Sequence, residues 1–108
     1  MALIKKKFTT QTYILADTLP FRMGPFFTEQ VRIATSNIDW QLQFSENLDD
    51  DVEAQTYDLI VPRNCIEMLP NIIGGFISVR PIDYTGDSTL PQGAISITEV
   101  DLLGSDTI

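Results

Sequence analysis

Period two dominates the chain. Ile38, Trp40, Leu42 and Phe44 alternate with Asp39, Gln41, Gln43 and Ser45, so an extended backbone puts four large apolar groups on one face and polar groups on the other. Val31 and Ile33 alternate with Gln30 and Arg32 just before, and Thr35-Ser36-Asn37 joins the two segments either as the turn of a hairpin or as a bend in one long strand. Leu3 to Leu15 is rich in Thr, Phe, Tyr and Ile and lacks Gly and Pro, which predicts an extended run long enough to hold a bend or bulge. Tyr57 to Val61 predicts a short strand closed by Pro62. Phe76 to Ile82 predicts another, opened by a Gly74-Gly75 hairpin turn and placed at a sheet edge by Pro81. In Ala94 to Leu102 the apolar phase switches between Ile95/Ile97 and Val100/Leu102, which predicts a bulge near Thr98-Glu99. Only Asn64 to Leu69 suggests a helix, a turn or two capped by Asn64 and stopped by Pro70.

Six to eight strands at this spacing, with most of the six glycines and six prolines between them, predict an all-β fold. The expected architecture is an antiparallel β-sandwich or jelly-roll-like barrel with at most one short helix. The chain has 108 residues, 44% of them hydrophobic, enough for one domain with its own core. Residues 1–108 therefore read as a single β domain, with Lys5, Lys6 and Lys7 in a basic N-terminal strand or arm. No apolar run approaches the ~20 residues of a membrane span. The opening Met1-Ala2-Leu3-Ile4-Lys5-Lys6-Lys7-Phe8 reverses the order of a secretory signal, so synthesis and folding in a cytoplasm are expected.

Charge and missing residue types narrow the chemistry. Seven Lys+Arg against fifteen Asp+Glu give a net charge of −8, which argues against general affinity for nucleic-acid phosphates or anionic membranes. Histidine is absent, and with it the usual general base and metal ligand. One cysteine, Cys65, allows neither an internal disulfide nor a thiolate zinc site. No nucleophile and base pair stands out, so neither an enzyme nor a cofactor is expected. The lysine triplet suits a blunted sheet edge, or a basic arm reaching an acidic groove or packaged nucleic acid. Asn47 to Gln55 is too acidic for core; its Asp49, Asp51 and Glu53 are oxygen ligands at every second position, an arrangement that calcium loops use, without the EF-hand glycine and terminal Glu.

The best candidate surface is Phe21-Arg22-Met23-Gly24-Pro25-Phe26-Phe27. Pro20, Gly24 and Pro25 are expected to keep it out of regular structure, so that Phe21, Met23, Phe26 and Phe27 with Arg22 either cap the core or form a contact patch. Lys5, Lys6 and Lys7 are the other interface candidates. Trp40 belongs to an apolar face, so it is expected in the core; Tyr84, in an acidic turn, is the freer ring for a ligand.

Two resemblances bear on function. Ile73 to Arg80 is similar to the flap of retroviral aspartic proteases, and Ala16-Asp17-Thr18 to the start of their catalytic turn, but Leu19 stands where that family has glycine and no second-half signature follows. In style, a small acidic β domain without histidine resembles the accessory proteins of bacteriophage particles, such as head-decoration, head-to-tail joining or tail-tip proteins. That resemblance implies a virion protein made in the host cytoplasm and docked as symmetric copies on a capsid or tail. Its partners would be itself and other virion proteins, without membrane or direct nucleic-acid contact. The alternative is a ligand- or carbohydrate-binding β-sandwich, calcium-dependent if the acidic loop holds the ion.

Overall fold

The alternating stretch from Gln30 to Ser45 is one extended run with a corner in it, and that corner sets the architecture. The computed structural model describes residues 10–16, 19–46, 49, 51, 56–82 and 93–100, and every regular element among them is a strand. In chain order these are β1 (Thr10–Ile14), β2 (Phe21–Phe26), β3 (Gln30–Ser36), β4 (Asp39–Ser45), β5 (Leu59–Val61), β6 (Ile66–Pro70), β7 (Gly75–Ile82) and β8 (Ala94–Val100). At Asn37 the backbone turns through a left-handed conformation (φ 68°), which asparagine tolerates better than most residues. This carries the chain from one sheet to the other, so β3 and β4 do not pair as a hairpin.

One sheet has the order β1-β8-β3-β6 and the second β2-β7-β4-β5, with every neighbouring pair antiparallel. Pairing first with eighth, second with seventh, third with sixth and fourth with fifth is what a long double strand gives when rolled into two layers: a jelly roll. The inner faces meet through Val31, Ile33, Ile95 and Ile97 of one sheet and Met23, Phe26, Trp40, Leu42, Ile77 and Val79 of the other, all buried. No helix among the described residues is long and apolar enough to cross a membrane.

Several expectations change here. Ile66–Pro70 is a strand and not a helix; Asn64 supplies a left-handed turn residue (φ 56°) instead of a cap. Gly74-Gly75 does not close a hairpin, because β6 and β7 lie in different sheets. Glycine is needed at 75 for another reason: a methyl group there would stand 2.7 Å from the Ser45 carbonyl oxygen. β7 is central rather than an edge, and Pro81 is tolerated because the β2 ladder ends at Phe21 opposite Val79, two residues earlier. β8 runs in unbroken register beside β3, so there is no bulge at Thr98-Glu99; Glu99 takes an inward position. The bulge is in β2, where Met23 faces Ile77 and Phe26 faces Gly75. Pro20, Gly24 and Pro25 therefore do not exclude regular structure, since Phe21–Phe26 is a strand. The stretch before Thr10, Asp17, Glu53, Tyr84 and Leu102 lie outside the described residues.

At the end that holds the Asn37 corner, two turns are tied together. Arg63 donates from its backbone N–H (2.8 Å) and its Nε (3.1 Å) to Oδ1 of Asp39, and the Asn37 N–H donates to Oδ1 of Asn64 at 3.1 Å. The Arg63 side chain, then its N–H, hold the Asp39 carboxyl below the ordinary value of 3.8. A depressed carboxyl adds stability that is present above its unfolded value and lost as pH falls through the folded one. Asp39→Asn is expected to be slightly less stable than the parent at neutral pH and to converge with it in acid; the effect is small because the pair is exposed. Urea midpoints at both pH values check this, and a gap that persists into acid would exclude the ion pair as its cause.

Candidate functional site

The bulge in β2 divides two adjacent phenylalanines between core and solvent. With one extra residue between Met23 and Phe26, both face inward and are buried, and Phe27 is turned out at 64% exposure. Phe27 leads into the β2–β3 connection, which packs beside the β6–β7 connection carrying Ile73, 61% exposed. The two rims touch: a methyl group at Gly74 would stand 4.0 Å from Cε1 of Phe27, so the ring lies along glycine backbone next to Ile73. Gly74 has φ 78°, a conformation that side chains rarely adopt.

Hydrogen bonds from β2, β8 and the β6–β7 connection hold this end in place. The Gly74 N–H donates to the Phe26 carbonyl at 2.8 Å and the Asn71 N–H to the Glu29 carbonyl at 2.9 Å. The Asn71 side-chain amide spans the junction, donating to the Phe26 carbonyl at 3.1 Å and the Thr28 carbonyl at 2.9 Å. The carboxylate of Glu99, in β8, accepts the N–H of Phe27, and the Thr28 hydroxyl accepts the N–H of Val100 at 3.2 Å. Two large apolar side chains are thus presented to water on backbone with little freedom to move, which lowers the entropy lost when a partner covers them. Asn71→Ala removes both amide bonds and is expected to cost about 1–3 kcal/mol of stability, readable in a urea unfolding curve; an unchanged midpoint would mean that the amide does not hold the two turns.

The sequence candidates separate on the structure. Phe27 is exposed, whereas Met23 and Phe26 are core residues and not contact residues; the cluster expected at a single surface is split by strand alternation and the bulge. Phe21 lies at the opposite end of β2, about 20 Å of strand away at ~3.3 Å per residue, and stacks on Tyr13 with ring centroids 4.2 Å apart. Arg22 is half-buried, its guanidinium 5.8 Å from the centroid of Phe76. Lys5, Lys6 and Lys7 lie outside the described residues. Ile73 escaped sequence reasoning, although an Ile-Ile pair leading into a glycine turn is unusual where turns select polar residues.

Elsewhere the polar groups serve packing. Tyr57 lies beneath the Arg80 guanidinium, 4.5 Å from its ring centroid, and Arg80 Nε donates to Oε1 of Gln41 at 2.9 Å. Burial pushes the Tyr57 hydroxyl up, against the pull of Ser78, Arg80 and Arg22. This stack fixes the segment before β5 on the sheet's outer surface. Trp40 is fully buried and presents no face to a sugar. Among the described residues no group of three or more acidic or cysteine side chains could hold a metal ion. Compared with protein families, curated proteins and solved structures, the chain matches none.

Proposed function

We propose that this protein is a structural subunit of a phage virion, docked as symmetric copies on the capsid or tail through its Phe27 and Ile73 end and stabilising the assembly. The observation that carries the proposal is the outward display of these two side chains on a hydrogen-bonded double turn. A fold seeking only its own stability gains nothing by holding a phenylalanine and an isoleucine in water on two adjoining turns; a partner that covers them gains apolar burial and an aromatic anchor. The net charge of −8 keeps free subunits apart and in solution, and leaves association to such uncharged contacts. Rigid rolled sheets suit repeated use in an assembly, because each copy meets its neighbour in the same geometry.

Gentle isolation of the native complex, with a mass measurement of everything bound, tests this. The expected result is co-purification with a large particle. A solitary monomer whose melting temperature rises with calcium or a glycan would count against it and for ligand binding. Phe27→Asp is expected to fold normally yet weaken attachment by about 2 kcal/mol or more, roughly thirtyfold in affinity. Co-sedimentation of the variant with the isolated particle reads that loss.

A further inference from the structure

We propose that β6 is a seam at which two copies of this chain join edge to edge and antiparallel, making one continuous eight-stranded sheet from two four-stranded ones. The backbone fixes which groups β6 offers. The Cys65 carbonyl accepts the Thr35 N–H and the Asn71 N–H reaches the Glu29 carbonyl, so the peptide groups of residues 65, 67, 69 and 71 point toward β3. Those of Ile66, Met68 and Pro70 point away from β3, to the open edge. The N–H that proline lacks therefore falls on the free side and costs the sheet nothing.

The side chains carry the second observation. In β6 the expected facing is inverted: Glu67 and Leu69 turn inward, while Ile66 at 70% exposure and Met68 at 45% turn out. Sheet edges are normally blunted by charge, proline, bulges or shortness. β2 is blunted by its bulge and by Gly24-Pro25, and β5 has three residues. β1, the other edge of this sheet, is as long as β6 but turns out Thr10 and Thr12, whose hydroxyls bond to Thr98 and Ser96. β6 has five residues, no outward charge, and two large apolar side chains turned out.

Charge favours a second copy as the occupant. On the outer face of this sheet, the positions alternating with the buried residues in the described strands hold Thr, Ser, Ala, Gln, Ile, Val, Met, Pro and a single charge, Arg32, with no carboxylate. In a chain of net charge −8, two copies can approach on this side without opposing acids. A two-fold axis at Met68 lets each Met68 exchange both hydrogen bonds with its mate and each Ile66 N–H reach the other copy's Pro70 carbonyl. It also sets Glu67 opposite Leu69, whereas the register centred one residue earlier would set Glu67 against Glu67 and is disfavoured by like charge.

The seam rests on the reading of the chain as an assembly subunit, but it uses β6 and not the Phe27 end, so the two fail separately. Sedimentation equilibrium of the purified full chain, from micromolar to millimolar, is expected to show twice the chain mass. The double variant Ile66→Lys, Met68→Lys is expected to be folded by circular dichroism and to dissociate at least roughly tenfold more readily, because outward lysines oppose edge pairing. Phe27→Asp is expected to remain dimeric. A wild-type monomer throughout, or a dimer indifferent to both lysines, overturns the seam and leaves docking through Phe27 standing. A monomer that binds the isolated particle through β6 overturns it too, because the edge then belongs to a strand of another protein. Should the lysine variant not fold, backbone hydrogen exchange of the wild type decides: amides of Ile66 and Met68 slowed as concentration rises support the seam, and concentration-independent exchange overturns it.

Discussion

Phe26→Asp is expected to abolish the folded state, and Phe27→Asp, one residue on, to leave it intact. Phe26 is fully buried between the sheets, and its loss alone costs about 3–5 kcal/mol. The replacing carboxylate would sit in the buried apolar cluster that also holds Met23 and Ile77, where an unpaired charge costs several kcal/mol more or must be protonated. The sum takes up most of the 5–15 kcal/mol available to a domain of ordinary stability. Circular dichroism and a urea titration of both variants would show it. A cooperative transition for Phe26→Asp close to that of the parent would mean that the bulge is misplaced and that the wrong phenylalanine faces the core.

The second large effect is at Trp40. Its ring is fully buried in β4, with Tyr13 edge-on at 5.9 Å between centroids, and it bridges the inner faces of both sheets. Trp40→Ala is expected to lower stability by about 3–5 kcal/mol through lost burial and the cavity left behind. The indole Nε1 is buried with no hydrogen-bond partner among the described residues, so Trp40→Phe, which removes that donor and keeps a ring, should cost distinctly less. Equilibrium unfolding of the two variants reads the difference; a near-neutral alanine variant would contradict the core placement.

Much of the fold was legible because alternation reports which way a side chain faces. Ile38 to Leu42 and Gln30 to Ile33 obey it, and β3 and β4 appear with Trp40 inside, while at the end of β4 the polar Ser45 is buried as well. Where a residue has another task, the pattern misleads. Glu99 takes an inward position because its carboxylate holds the Phe27 N–H, so β8 looked out of phase although its register is regular. In β2 the bulge puts Met23 and Phe26, three residues apart, on the same side, which hides the strand from any period-two count. In β6 the apolar residues face out, and an inverted strand reads as something else. Alternation also leaves sheet order open, since it fixes facing and not neighbours. Of the candidate end, Phe27 was visible among its neighbours but could be separated from Phe26 only by the bulge; Ile73 comes from a distant turn that topology brings alongside.

The most direct test of docking through this end is hydroxyl-radical labelling of side chains in the free chain and in the isolated assembly. Phe27 and Ile73 should be labelled in the free chain and protected in the assembly, with Phe26 unlabelled in both. Equal labelling of Phe27 and Ile73 in the two states would contradict the account.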